Sequence, residues 1–166
     1  MDVRDINFKK IALWIKVVII GFALCGLVLY AYALPQMGES FADNFGPWYR
    51  DNCLLLWKIF LWVSGVPCYA VLALFWSVAS KISGGQAFSR HNARAMKAVA
   101  VLAAVDTAYF FIGNFVLLAL NLSHPGVMLA SLVVVFVGFA VTVAAAGLSR
   151  LIIKAAELQD ESDLTI

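Results

Sequence analysis

Charged side chains are scarce in this chain. Its 166 residues carry 12 Lys and Arg and 10 Asp and Glu, 13% in all, where a soluble domain carries about a quarter. A water-exposed globule of this composition would have too little polar surface to cover its core, so a soluble domain is excluded. Three cysteines do not make a disulfide framework. Cys25 and Cys68 fall inside apolar runs, where a thiol behaves as a small apolar group, and Cys53 lies at the edge of one. The two histidines, His91 and His124, are predicted on opposite sides of a membrane and cannot share an ion. No metal-ligand spacing occurs, so no metal is expected, and no cofactor is implied. No Ser/His/Asp or Cys/His set falls on one membrane face, and Gly84-Gly85 has no strand before it to make a phosphate loop. A non-enzymatic protein is expected, with no catalytic residue and no direct contact with nucleic acid.

Hydrophobicity is abundant: 63% of residues are apolar and the mean hydropathy is +0.90. The apolar residues gather in four stretches, about 11–34, 53–80, 98–120 and 126–153. A hydrocarbon core about 30 Å thick needs about 20 helical residues, and backbone in lipid must pair within its own segment. The expected fold is therefore all-α, a polytopic membrane protein with four transmembrane helices in a bundle, forming one domain over residues 1–166. An outer loop (35–52), an inner loop (81–97) and a cytosolic tail (154–166) complete it.

The few cations fix an orientation. Arg4, Lys9, Lys10 and Lys16 precede or open the first span; Lys81, Arg90, Arg94 and Lys97 fall between the second and third; Arg150 and Lys154 follow the fourth. Only Arg50 and Lys58 fall on the other side. Lys and Arg collect on the cytoplasmic side, which places both termini inside, in a bacterial cytoplasmic membrane. An even number of spans demands the same. The basic start followed by Ala31-Tyr32-Ala33 has the look of a cleavable signal. The run is too long for one, and Tyr30 and Tyr32 fit interfacial aromatics, so the segment is expected to be retained as a span.

In the outer loop, Phe41 and Phe45 are spaced as one apolar face of a short surface helix, followed by Trp48 and Tyr49. Pro67 lies mid-span and is the candidate for a helix kink; Lys58 can snorkel to the interface. In the inner loop Gly84-Gly85 suits a helix C-terminus. Ser89 suits the N-cap of the next helix, with Asn92 at its third position and Phe88 where a hydrophobic staple sits. Arg90, Arg94 and Lys97 then form a basic stripe on one face, a contact surface for lipid or an acidic partner. The acidic tail Glu157–Asp163 has the charge to dock there.

Asp106 is the carboxylate predicted deepest in lipid, about 13 Å along the helix from Lys97. Ionisable groups inside spans are costly and mark functional sites. Asn114, two turns on, and Tyr109 are candidates to share a polar pocket with it. Span four carries small residues, Ser131, Gly138, Thr142, Ala145 and Ser149, a face for close packing on a neighbouring span or in a homo-oligomer.

The inner-loop pattern Gly85-Gln-Ala-Phe88-Ser-Arg-His-Asn92, the small-residue-rich last span and the ending Glu157-Leu-Gln-Asp-Glu-Ser-Asp-Leu-Thr-Ile166 together resemble a family of small bacterial four-span membrane proteins catalogued as a domain of unknown function. That resemblance implies no activity. Its members are often encoded beside a small helix-turn-helix regulator, which implies a cytosolic regulatory partner. Two roles follow as expectations. One is a regulatory protein signalling to a cytosolic partner through the inner loop and tail. The other is a small transporter, channel or ligand-binding bundle centred on Asp106.

Overall fold

The computed structural model describes residues 3–45, 47–48 and 53–163, without the side chains of residues 3–6, 41, 45, 160, 162 and 163. Tyr49, Arg50, Leu164–Ile166 and the Arg4, Phe41 and Phe45 side chains lie outside that description. The described chain is helical: α1 (Val3–Val28), a π-helical turn (Leu29–Ala33), α2 (Leu34–Phe45), α3 (Leu54–Ser83), α4 (Arg90–Ala119) and α5 (Pro125–Asp163). Among the described residues, four helices are long and apolar enough to cross a membrane.

The first span does not end at Leu34. The chain stays helical to Phe45, past Pro35, so more than half of the expected outer loop is helix. A proline ring clashes with the carbonyl four residues before it. Here the widened π-turn lies immediately upstream, with the Leu34 amide bonded to the Leu29 carbonyl five residues back, and wider turns of this kind accommodate a break in the regular ladder. In α2, Gly38 and Ala42 are buried, and Gly38 lies against Leu54 and Trp57 of α3. Gln36, Glu39, Ser40, Asp43 and Asn44 occupy the exposed side. Lys58 Nζ pairs with Glu39 Oε1 at 3.1 Å, tying α2 to α3 across an exposed surface.

The helix ends follow from local sequence. Gln86 N–H donates to the Lys81 carbonyl and Gly85 N–H to the Ile82 carbonyl, both at 3.0 Å, the paired bonds of a Schellman cap. The cap needs a left-handed residue, and Gly85 supplies it at φ 76°. The same device ends α4, with Asn121 at φ 57° and Leu122 N–H donating to the Leu117 carbonyl. Ser89 caps α4, its hydroxyl accepting from the Asn92 amide at 3.3 Å. Pro125 opens α5, where a missing N–H costs nothing, and His124 Nδ1 accepts from the Gly126 amide at 3.0 Å.

Packing is serial. α1 packs on α3, α3 on α4, and α4, most extensively, on α5. Among the described residues, no Cα of α1 comes within 8 Å of one in α4 or α5, so that side of the bundle is not closed by backbone packing. The tightest seam uses the small-residue face of α5: Ser131, Ala145 and Ser149 are buried, Gly138 abuts Thr107, and Ser149 Oγ donates to the Ala93 carbonyl at 2.8 Å. A core of Ala93, Met96, Val99, Ala100, Ala145 and Ile152 fills one half of this seam, with Val71, Leu74, Phe75 and Val78 of α3 packed against it. Outward-facing Leu, Val, Ile and Phe remain widely exposed, the surface expected where lipid is the solvent.

Candidate functional site

Asp106 sits on α4 at a partly open cavity of about 480 Å³ to which all four long helices contribute. α1 brings Phe22, Cys25 and Gly26, and the π-turn brings Tyr30. α3 brings Pro67, Cys68 and Tyr69, while Val141 of α5 closes one side. The walls are mainly apolar. Polar groups converge at one place: Cys68 Sγ lies 3.8 Å from Asp106 Oδ2 as a weak donor, and Asp106 Oδ1 is shielded and has no hydrogen-bond partner among the described residues. A shielded carboxylate oxygen without a donor is costly in an apolar setting, and the residue that carries it lines the cavity.

The elements around it are held by hydrogen bonds of side-chain hydroxyls. The Tyr30 hydroxyl meets Ser64 Oγ at 3.2 Å, and Ser64 Oγ bonds the Leu61 carbonyl at 2.9 Å. Gly65 lets the Tyr30 ring lie directly on the α3 backbone. Tyr69 donates to the Ala23 carbonyl at 2.9 Å, fixing α3 against α1. Pro67 lies inside a helix that runs unbroken from Leu54 to Ser83 and forms part of the cavity wall.

Two of the residues expected beside Asp106 are elsewhere. Tyr109 donates to the Phe60 carbonyl at 3.1 Å, with the two rings 5.1 Å apart. Asn114, 3% exposed, donates to the Phe110 carbonyl of its own helix at 2.8 Å. Neither lines the cavity. A separation of eight residues leaves Asn114 about 12 Å along the axis from Asp106, enough for each to have separate surroundings. The partners that do converge, Cys68 and Tyr30, carry no polar signature in the sequence: a thiol reads as apolar filler and a tyrosine near a span end as an interfacial anchor.

The inner-loop pattern has a structural role. Asn92, fully buried, donates from Nδ2 to the carbonyls of Gln86 and Ala87, each at 3.0 Å, which folds the loop back onto the start of α4. Gly85 makes the left-handed cap. Phe88 is 57% exposed, so it does not staple the helix start. The residue it would staple, Ala93, is already covered by α5 through Ser149. His91 Nε2 meets Ser77 Oγ at 3.1 Å, and Lys16 Nζ lies 5.1 Å from the Trp76 ring centroid, a cation–π contact between α1 and α3. Arg90, Arg94 and Lys97 do share a face, and with Ser149, Ile153 and Glu157 of α5 they border a second concavity of about 270 Å³. Among the described residues no group of three or more His, Cys, Asp or Glu side chains is arranged to hold a metal ion.

Residues 52–166 match the model of a family described as a protein of unknown function, DUF2975. The chain is also 30% identical over 161 residues, 96% of each chain, to the uncharacterized membrane protein YoaS of Bacillus subtilis (strain 168). No solved structure matches it.

Proposed function

The chain belongs to the DUF2975 family of membrane proteins, and from that premise we propose that it is a non-enzymatic binding protein of the bacterial cytoplasmic membrane, with both termini cytosolic. Its ligand is a small lipophilic molecule carrying a hydrogen-bond donor, preferably an amine. One observation carries this reading: a cavity of about 480 Å³ contacted by every long helix contains a single carboxylate whose Oδ1 has no donor. Apolar walls with one placed polar group are the usual anatomy of a small-molecule site. A transport path would need polar groups continued toward both membrane faces; the polar groups that follow Asp106 on its helix, Thr107, Tyr109 and Asn114, are instead engaged with backbone carbonyls. Binding is therefore favoured over transport.

Thermal unfolding of the detergent-purified protein with 1-aminoadamantane and with 1-adamantanol tests this. The amine should stabilise wild type more than the alcohol does, and Asp106→Asn should erase the difference. An equal shift for both compounds, or an unchanged amine preference in Asp106→Asn, would refute it.

A cytosolic partner is the second part of the reading, supported by the length of α5. Its 39 residues extend about 58 Å, nearly twice the hydrocarbon thickness, so the acidic end projects well past the bilayer beside the Arg90/Arg94/Lys97 face. Pull-down from native membranes, with the neighbouring genes present, should recover a soluble partner such as a helix-turn-helix regulator. Loss of capture on deleting residues 158–166 would place the contact at the tail, and recovery of no soluble protein would remove this part.

A further inference from the structure

We infer that the end of the bundle carrying the α3–α4 connection holds an anionic phospholipid, its phosphate between Arg94 and Lys97 and one acyl chain in the groove between α3 and α4. This inference is independent of the ligand proposed for the Asp106 cavity. Two recesses meet at this pair of cations. One is the polar concavity of about 270 Å³ shared with Arg90, Ser149 and Glu157. The other is an apolar groove of about 810 Å³, bounded by Ala70, Ala73, Leu74, Ala98, Val101 and Leu102, and Arg94 and Lys97 border it too. A small recess ringed by charged side chains and a shallow apolar groove thus share one cationic rim, a match for an amphiphile with a negative head.

The charges agree with that occupant. Arg94 and Lys97 line the polar recess with one described carboxylate, Glu157. Among the described residues neither Arg94 nor Lys97 has an ion-pair partner. Ala73, Val101, Arg94 and Lys97 are exposed, so the groove is reached from the lipid side without moving a helix. The three alanines create the recess because each projects only a methyl group where larger side chains would fill the space. A free anion would use the polar hole and leave the groove unexplained. A peptide in the groove would have to desolvate its backbone against apolar walls that offer no partners. Basic pockets between spans at the cytoplasmic side are a known form of lipid-headgroup recognition.

The test uses the full chain in a non-ionic detergent, with bound lipid counted by native mass spectrometry and stability followed by thermal unfolding. Palmitoyl-oleoyl phosphatidylglycerol should bind saturably and raise the unfolding temperature, and the phosphatidylcholine of the same chains should do neither. Arg94→Gln and Lys97→Gln should each weaken phosphatidylglycerol binding about fivefold, the effect of about 1 kcal/mol per interfacial cation. Ala73→Phe should obstruct the groove and weaken it without altering the charge. Arg150→Gln/Lys154→Gln, which removes two cations outside both recesses, should leave it unchanged. The proposal is overturned if phosphatidylcholine matches phosphatidylglycerol, if inorganic phosphate alone reproduces the thermal shift, or if the Arg150/Lys154 variant loses as much binding as the Arg94/Lys97 variant. Should the charge variants fail to fold, Ala73→Phe decides: unchanged phosphatidylglycerol binding there overturns the proposal.

Discussion

Gly138 of α5 faces Thr107 of α4 so closely that the threonine hydroxyl occupies the space a β-carbon on Gly138 would need. In lipid there is little hydrophobic force between helices, and close backbone approach through small residues supplies much of the attraction. Gly138→Ala should therefore cost about 1–3 kcal/mol by overpacking, read as a lower unfolding midpoint in detergent. Adding Thr107→Ala should recover part of it, giving a non-zero coupling in a double-mutant cycle. Gly147 is the control: nothing lies within 4 Å of its missing β-carbon, so Gly147→Ala should be neutral or slightly stabilising through helix propensity.

Asn92 closes the α3–α4 connection by donating to two carbonyls. Asn92→Asp preserves size but replaces the donor with acceptors that face those carbonyl oxygens. It should destabilise by about 1–3 kcal/mol, the usual cost of stranding buried polar groups, and increase proteolysis between Gly84 and Ser89. Wild-type protease resistance in Asn92→Asp would contradict the assigned role.

Asp106 contributes little to packing in this arrangement. Its one assigned hydrogen bond among the described residues is the long thiol contact at 3.8 Å, weaker than a normal hydrogen bond. Asp106→Asn should leave the unfolding midpoint within the equivalent of about 1 kcal/mol of wild type while abolishing the amine preference. A large loss of stability without any binding phenotype would mean that the carboxyl group serves the packing of the helices.

Cys53, at the start of α3, is 1% exposed, and burial pushes its thiol pKa upward. Because the folded state favours the neutral thiol, this group's contribution to stability is complete below the ordinary thiol range and is lost as pH rises through the raised value. In a Cys25→Ala/Cys68→Ala background, maleimide labelling at neutral pH should be slow in folded protein and fast after denaturation. Rapid labelling of the folded protein would place Cys53 in water.

The four spans were legible because apolar runs about 20 residues long have few alternatives, and the helix ends at the inner loop because Gly85 and Ser89 are residue types that caps select. The continuation of the first helix past residue 34 was not legible, since nothing in Leu29–Ala33 marks the π-turn that carries it past Pro35. Asp106 stood out as a charge deep in a span. Its surroundings did not, because which faces of α1 and α3 meet it depends on helix rotations that near-uniform apolarity leaves unmarked. Asn114 showed the converse: a polar residue at a suggestive spacing, satisfied one turn back on its own helix.

With no close backbone approach between α1 and α5 among the described residues, side chains alone close that side of the Asp106 cavity, and on the proposed reading a ligand would enter there, from among the acyl chains. A visitor would arrive by diffusing within the membrane plane. The relevant dose would be its mole fraction among the lipids, so two compounds matched in shape and charge would differ in potency by their partition coefficients before either touched the protein.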